Sequence, residues 1–452
     1  MFCVNLLKKG LQRYVFLRKN IWSIIFFMKE DFLHYIWQNG FFDHLKLQTT
    51  SNEPLKIIRS GFHNPDAGPD FLQAQIKIGH VLWAGHVEIH KNASDWYAHG
   101  HEKDPAYDNV ILHIVYDDDM PVYDIQNRQI PTLDISRYIL KDIIKNYNKL
   151  IKNKTFIRCQ NELAQVDAYV LFHYKYRLFL ERLYNKNEQI KKQLLESQNN
   201  WKQIFYQTLL TYMGGPVNKE SFALIGQLLP FGIFAKYQDR LLSLEALLFG
   251  VAGLLHESKY DHYYQRLQQE FLFLKNKHNL ETLPAGAVKF HRLRPPNFPT
   301  LRLAQVARLF YQTDHLFEKL MQIEAVGEAY TLLHSTASTY WDTHYNFDKI
   351  TKARKKAIGT SFIDILLINV VIPLKFAYQK YKGKINHDNI LSLMEKIPPE
   401  KNKIINSFQR LKFPVNNALD TQAVIQLYQH YCHPFNCLSC DIGHKIIKKG
   451  LA

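Results

Sequence analysis

Cysteine is scarce in this sequence, with five cysteines among 452 residues. Cys3 and Cys159 are isolated, whereas Cys432, Cys437 and Cys440 fall within nine residues of one another. So few thiols exclude the dense disulfide framework of a small secreted protein.

The three clustered cysteines indicate a metal site, because thiolates are the usual ligands of structural Zn²⁺ and of iron–sulfur clusters. Either occupant fits the sequence. A fourth ligand is expected from Cys159, from His433 or from His444. The alternative is that these are ordinary thiols in a small helical turn.

Long apolar runs are also missing, since no segment reaches 18 consecutive apolar residues. The run from Ile21 to Phe27 is too short for a membrane span and lacks the small-residue cleavage site of a signal peptide. The sequence therefore predicts a cytoplasmic protein without a transmembrane segment.

Acidic residues are absent from residues 1–27, which carry five basic side chains. We interpret this stretch as a non-native extension, with Met28 as the natural start, because Glu30 and Asp31 suit the first turn of a helix. The alternative is a short basic amphipathic anchor.

The overall composition is that of a globular protein, with 46% hydrophobic and 22% charged residues. The net charge is +16 and the pI is about 9.3. A basic surface favours polyanionic partners, and we expect nucleic acid, DNA ahead of RNA. Solvated lysine faces would give the same balance, and the oligomeric state is left open.

Hydrophobic periodicity predicts an α+β protein in three parts. Residues 28–155 contain the strand-like runs, residues 156–430 are helical in pattern, and residues 431–452 form a cysteine-containing C-terminal segment. The first part is expected to be a mixed β-sheet domain and the second a large all-α domain. We find no internal repeat.

Three strands are predicted in the stretch from Gly61 to Tyr116. Leu72 to Ile78 alternates apolar and polar residues, and Gly79-His80 is typical of a hairpin turn. The return strand, Val81 to His90, places His86, Glu88 and His90 on one face, because side chains alternate along a strand. Val110 to Tyr116 is almost wholly apolar and is expected to be central.

Histidines and carboxylates are concentrated in the same stretch. Its histidines include His86, His90, His99, His101 and His113, and the two carboxylates nearest to the predicted strands are Asp70 and Glu88. Such a layout is typical of metal-assisted hydrolysis, in which carboxylates hold the ion and a neutral imidazole positions water. The alternative is a half-buried sheet whose polar residues simply face solvent.

The spacing of two short motifs resembles that of the PD-(D/E)xK nuclease superfamily. Pro69-Asp70 is followed, after seventeen residues, by Glu88-Ile89-His90, with His90 where the superfamily usually has lysine. The resemblance implies a restriction-endonuclease-like sheet in which Asp70, Glu88 and the Ile89 carbonyl bind Mg²⁺ or Mn²⁺. His90 would then activate water.

The resemblance implies further roles. Glu30, on a preceding helix, is the candidate to complete the site, with Asp31 as the second choice. His99 or His101 would protonate the leaving oxygen or contact the phosphate. Some members of the superfamily clamp their fold with an iron–sulfur cluster held by one distant and three grouped cysteines. Their distant cysteine precedes the nuclease motifs, whereas Cys159 follows them.

From Met28 to the end, the chain resembles an uncharacterised bacterial family, Domain of Unknown Function 2851. The motifs that carry this resemblance are His63-Asn64, Ala67-Gly68-Pro69-Asp70-Phe71, Gly85-His86-Val87-Glu88-Ile89-His90, Asp95-Trp96, His99-Gly100-His101, Leu112-His113-Ile114-Val115, Arg294-Pro295-Pro296-Asn297-Phe298-Pro299 and Cys437-Leu438-Ser439-Cys440-Asp441-Ile442-Gly443. No activity follows from that family.

Three functions remain open at this point. The leading hypothesis is a metal-dependent nuclease, with nucleic-acid contacts from His86, Arg292 and Arg294. The second is a non-catalytic nucleic-acid-binding or scaffold protein on a degenerate nuclease fold. The third is a histidine-rich Zn²⁺ hydrolase, which requires three His or carboxylate side chains converging with tetrahedral geometry.

Overall fold

The chain forms two compact units in the computed structural model, which describes residues 28–259 and 261–450. The N-terminal unit comprises residues up to Val170 together with the segment from His430 onward, and the helical unit comprises Leu171–Gln429. The predicted extension, residues 1–27, lies outside the described residues. The α+β class is confirmed: a curled sheet lies near the N-terminus and most of the remainder is helical.

The N-terminal unit is built around a sheet. Its main elements are α1 (Glu30–Asn39), β1 (Leu55–Arg59), β2 (Phe62–His63), β3 (Phe71–Ile78), β4 (Val81–Asn92), α2 (Asp95–Ala98), β5 (Val110–Asp117), β6 (Thr132–Asp134) and α3 (Lys141–Lys152). Short 3₁₀ turns lie at His101–Lys103 and Pro105–Tyr107. The three strands predicted between Leu72 and Tyr116 are confirmed.

The sheet is mixed, with strand order β1-β3-β4-β5-β6 and β2 paired to β3. Strands β3 and β4 form an antiparallel hairpin through the turn at Gly79, whose φ of +58° is readily adopted by glycine. Strand β5 runs parallel to β4, so the chain must cross over between them. That crossover, residues 93–109, carries α2 and both 3₁₀ turns.

Strand β5 lies between two partners and is buried over most of its length. Its apolar run agrees with the rule that strands covered on both faces lose their alternation. Helix α1 packs against β4 and buries Phe32, Leu33 and Ile36. The start of α1, the start of β3, the second half of β4 and the crossover therefore lie close together.

The helical unit follows the long helix α4 (Ala168–Glu196), whose first residues belong to the N-terminal unit. Its further helices are α5 (Trp201–Met213), α6 (Gly215–Leu228), α7 (Phe231–Phe234), α8 (Leu241–Val251), α9 (His262–His278), α10 (Pro299–Gln312), α11 (Leu316–Gln322), α12 (Val326–Leu333), α13 (Thr360–Leu366), α14 (Ile372–Tyr381), α15 (His387–Lys396), α16 (Lys403–Arg410) and α17 (Ala418–Leu427). The last helix, α18 (Asp441–Ile447), belongs to the N-terminal unit.

One helical stretch in the described residues, Thr360–Tyr381, is long and apolar enough to cross a membrane. It joins α13 and α14 through a π-helical turn, Leu367–Val371. Of its most apolar window, 67% is buried inside the protein. A buried core helix has the same composition, so this stretch is weak evidence for a span.

Candidate metal centre

Asp70 and Glu88 lie side by side where β3 begins opposite β4. Glu88 Oε2 accepts a hydrogen bond from the Asp70 amide at 3.1 Å, and Asp70 Oδ2 accepts one from the Ile89 amide at 2.9 Å. Because Phe71 pairs with Val87 in the antiparallel ladder, the two carboxylates meet at one end of the hairpin. Glu88 is 4% exposed, so its charge is largely shielded from water.

Three histidines converge beside Glu88. The Nε2 atom of His90 lies 3.1 Å from Nδ1 of His99 and 3.5 Å from Oε1 of Glu88. The same carboxylate oxygen lies 3.3 Å from Nε2 of His101. The imidazoles of His90, His99 and His101 each present a nitrogen within 4.8 Å of the other two, which makes them a candidate ligand set.

The crossover after β4 delivers His99 and His101. Helix α2 begins at Asp95, whose carboxylate accepts hydrogen bonds from the backbone and side-chain amides of Asn92 at 2.9 and 3.1 Å. Gly100, between the two histidines, has a φ of +75°, a left-handed conformation that other residues rarely adopt. The chain reverses there, so His99 contacts His90 and His101 contacts both Glu88 and His90.

Aromatic side chains hold the His101 ring from two sides. Tyr107 stacks on it with ring centroids 3.7 Å apart, and the fully buried Trp96 meets it edge-on at 5.4 Å. The Trp96 indole donates a hydrogen bond to the Tyr123 carbonyl at 3.1 Å. These contacts restrict the imidazole to one orientation.

His113 contacts the ring nitrogen of His90 that faces away from the other histidines. It lies on β5, is fully buried, and presents Nε2 2.9 Å from Nδ1 of His90. In metal sites, the ring nitrogen that does not bind the ion usually contacts a second polar group, which fixes the tautomer of the ligand. His90 has this arrangement, with Nε2 facing the cluster and Nδ1 facing His113.

A second set of candidate ligands adjoins the first. Glu30 and His34 are four residues apart on α1, so they share one face of the helix, and their ligand atoms lie within 4.8 Å of each other and of Asp70. His34 Nε2 is 3.2 Å from Asp70 Oδ2. The two sets are adjacent, because Glu30 Oε1 lies 4.0 Å from Nε2 of His90.

Burial controls the protonation of the centre. It lowers the pKa of His90 to about 2, with the neighbouring histidines adding to the effect, and lowers that of His113 to about 3. Both imidazoles are therefore neutral at pH 7, which is the form that binds metals. Burial raises the pKa of Glu30 to about 7, and raises that of Glu88 despite its hydrogen bond with His101.

The spacing of the first set fits a tetrahedral ion. Zn²⁺ binds nitrogen and oxygen at about 2.0–2.2 Å, so tetrahedral ligand atoms lie roughly 3.4 Å apart. Within the set of three imidazoles, His90 Nε2 and His99 Nδ1 are 3.1 Å apart. Glu88 Oε1 adjoins two members of the set, at 3.5 Å from His90 Nε2 and 3.3 Å from His101 Nε2. Three imidazoles with one carboxylate suit a transition metal better than Mg²⁺, which prefers oxygen ligands.

The structure brings six predicted site residues together, namely Glu30, Asp70, Glu88, His90, His99 and His101. His86 lies on the same strand, and its Nδ1 accepts a hydrogen bond from the Gln73 amide at 3.3 Å. Arg292 and Arg294 are exposed residues of the helical unit. The Ile89 amide faces the site, because it donates a hydrogen bond to Asp70.

Sequence reasoning missed His34 and underrated His113. The signal for His34 is its spacing. It lies four residues after Glu30 in a segment with the helical pattern of Phe32, Leu33 and Ile36, and residues four apart share one face of a helix. The sequence groups His113 with the other imidazoles of the stretch but does not place it against His90. Its contact with His90 depends on the parallel pairing of β4 and β5, in which Glu88 is the register partner of His113.

One family model matches the chain, over residues 30–403, and its description is protein of unknown function (DUF2851). The chain belongs to this family. No curated protein and no solved structure matches it. The matched region includes the residues of the candidate metal centre, whereas Cys432, Cys437 and Cys440 lie beyond it.

Replacing His113 tests its supporting role. We expect His113→Phe to weaken metal binding by about 10–100-fold, the range typical of lost contacts to a metal-ligating histidine. His113→Gln, which retains an acceptor, should lose less. Affinity is measured by competition with a chromogenic chelator. An unchanged affinity in the folded Phe variant would show that His113 is only a core residue.

Acid should destabilise the metal-free protein. Because the folded pKa values of His90 and His113 lie below the ordinary 6.5, only the unfolded chain takes up these protons as pH falls below 6.5. Each histidine then removes up to about 1.4 kcal/mol per pH unit. Glu30, with a raised pKa, opposes this loss between pH 7 and its ordinary 4.5.

Urea unfolding of chelator-treated protein between pH 4.5 and 7.5 measures this dependence. His113→Phe should lower the slope below pH 6.5 by up to about 1.4 kcal/mol per pH unit, the contribution of one histidine. Equal slopes for the wild type and this variant would mean that His113 does not titrate on unfolding.

Proposed function

We propose that this protein is a metal-dependent hydrolase that cleaves phosphodiester bonds of nucleic acid. The observation that carries the proposal is the convergence of His90, His99 and His101, whose ligand atoms lie within 4.8 Å of one another, with Glu88 Oε1 at 3.5 Å from His90 and 3.3 Å from His101. The ion we expect is Zn²⁺ or Mn²⁺. This combines the nuclease hypothesis with the requirement set for a histidine-rich Zn²⁺ hydrolase.

A bound ion of this kind polarises a phosphoryl oxygen and lowers the pKa of a bound water to about 7. The remaining chemistry is assigned to the side chains of the protein. Glu30, with a pKa of about 7, exchanges a proton readily at neutral pH and suits general acid–base work. His34 is held by Asp70, which raises the His34 pKa against the effect of burial and favours a cation near the phosphate.

Access and charge support a large anionic substrate. His99 is exposed and the Glu30 side chain is 40% exposed, so the centre opens to solvent. The net charge of +16 favours a polyanion. Asp70 immediately precedes β3 and Glu88 lies on the antiparallel strand β4. This placement is consistent with the PD-(D/E)xK resemblance, in which Asp70 and Glu88 would share a Mg²⁺ or Mn²⁺ ion.

Cleavage assays on linear, circular and single-stranded DNA and on RNA test the proposal, with DNA as the first substrate. Each is run with Zn²⁺, Mn²⁺ or Mg²⁺, using wild type, His101→Ala and Asp70→Ala. We expect metal-dependent cleavage that His101→Ala abolishes. Cleavage that needs Asp70 but not His101 would favour the carboxylate-bound ion. Tight binding without cleavage by any protein would favour the non-catalytic scaffold.

A further inference from the structure

A cavity of about 550 Å³ lies within the helical unit and has a strongly cationic wall. Its volume is in the range of small-molecule sites. The cationic side chains that line it are Arg302, Arg354, Lys355 and Lys356, and among the described residues no acidic side chain lines it. Because like charges repel, such a wall favours an anion in the space between the cations.

Part of this wall comes from a sequence motif that the metal centre does not use. The motif is Arg294-Pro295-Pro296-Asn297-Phe298-Pro299, and its Pro296 and Asn297 line the cavity. It forms a 3₁₀ turn directly before α10. The side chain of Asn297 accepts a hydrogen bond from the Arg302 guanidinium at 2.8 Å. The motif therefore positions one of the cations of the cavity.

Arg302 is a buried cation without a counter-ion. It is 6% exposed, and its guanidinium lies 3.6 Å from the ring centroid of Phe362. Its partners Asn297 and Gln305 are neutral, at 2.8 and 3.0 Å. Among the described residues no carboxylate pairs with it, and burial alone lowers its pKa to about 10, so it is charged at pH 7. A buried charge without a counter-ion costs stability, and such violations are expected at functional sites.

Hydrogen bonds hold both buried cations in fixed positions. The side-chain amide of Gln305, which accepts from Arg302, donates to the Lys356 carbonyl at 3.1 Å. The Lys356 ammonium donates to the Asp342 carbonyl at 2.9 Å and lies 4.2 Å from the ring centroid of Tyr345. Both cations therefore have neutral partners and are preorganised for a ligand.

The two remaining cations lie where the cavity meets solvent. Arg354 and Lys355 are both exposed. The Asp342 carboxylate pairs with Lys355 at 2.7 Å. Among the described residues, the other three cations of the wall form no ion pair with a carboxylate. The cavity is thus open to solvent and carries an excess of positive charge.

We propose that this cavity binds the phosphate group of a nucleotide, either free or within a nucleic-acid chain. Arginine binds phosphate through two parallel N–H groups, and lysine adds a point charge. A phosphate monoester carries nearly two negative charges at pH 7, which suits several unpaired cations. The apolar side chains of Leu301 and Ile365 also line the cavity and suit a sugar or a base.

Calorimetric titration of the chelator-treated full chain tests the proposal, with adenosine monophosphate, adenosine and inorganic phosphate as probes. We expect saturable binding of the monophosphate, and at least about tenfold weaker binding of adenosine, which lacks the charged group. Arg302→Met and Arg354→Glu should each weaken binding of the monophosphate by at least about tenfold. Lys352→Glu makes a matched change of charge at an exposed residue that does not line the cavity, and should bind like the wild type.

A short thymidine oligonucleotide, titrated into the same proteins, identifies the source of the phosphate. If it binds more tightly than adenosine monophosphate and is weakened by Arg354→Glu, the phosphate belongs to a nucleic-acid chain. Tighter binding of the monophosphate indicates a free nucleotide. Both results support the site.

Equal affinities for adenosine and its monophosphate would overturn the proposal. Equal losses in Arg354→Glu and Lys352→Glu would do the same, as would the absence of saturable binding by every phosphate-bearing probe. Because Arg302→Met could fail to fold, the exposed Arg354 is the deciding position. The titrations use metal-free protein and do not depend on hydrolase activity, so this proposal and the proposed function fail separately.

Discussion

Glu88→Gln should reduce metal-dependent cleavage by about three orders of magnitude, since a bound ion supplies several kcal/mol of transition-state stabilisation. Glutamine keeps the size of the side chain and can still accept the hydrogen bond from the Asp70 amide. It removes the anionic oxygen that faces His90 and His101. The expected loss is therefore one of metal binding and rate, with the fold retained.

The rate is measured under single-turnover conditions at saturating metal. Glu53→Gln is the matched control, because Glu53 is an exposed residue of the same unit. It should retain wild-type activity. If the folded Glu88→Gln protein cleaves within a few-fold of the wild type, Glu88 is not a ligand and the site must be reassigned.

Asp420→Ala should destabilise the helical unit by about 3–5 kcal/mol, the typical cost of leaving one partner of a buried ion pair alone. Lys175 on α4 and Asp420 on α17 form an ion pair of 2.6 Å, with side chains 9% and 5% exposed. Asp420 also accepts a hydrogen bond from the Asn416 amide. Removal of the carboxylate leaves the Lys175 ammonium buried without its counter-ion.

Two further variants decide whether burial causes this effect. Glu318→Ala breaks an exposed pair of similar length, Lys202–Glu318 at 2.7 Å, and should cost less than about 1 kcal/mol. The double variant Lys175→Met with Asp420→Leu should lose less than Asp420→Ala, since no charge stays buried. Equal losses in urea unfolding for Asp420→Ala and Glu318→Ala would contradict the account.

Local sequence patterns were sufficient to predict the strands and the hairpin of β3 and β4, but not the parallel pairing of β4 with β5. Alternation along Leu72 to Ile78 and the turn at Gly79 predict an antiparallel hairpin, and that hairpin brings Asp70 to Glu88. The parallel pairing of β4 with β5 depends on the crossover between them, which has no periodic signal. The contact between His113 and His90 was therefore beyond sequence reasoning.

The candidate site shows the same division. Glu88 and His90 share a strand face, so the period of two predicts their contact, whereas His99 and His101 arrive through a chain reversal at Gly100. His34 was missed because its approach to Asp70 depends on how α1 packs against the sheet. Tertiary packing decides such contacts, and one sequence carries no direct record of it.

Anomalous diffraction at the zinc edge, from crystals grown with Zn²⁺, would locate the ion among its ligands. We expect a peak about 2.0–2.2 Å from Glu88 Oε1 and from the facing nitrogens of His90, His99 and His101. A peak held by Asp70 and Glu88 with His99 and His101 turned away would contradict the proposed ligand set. The absence of any peak at this place would contradict the metal centre itself.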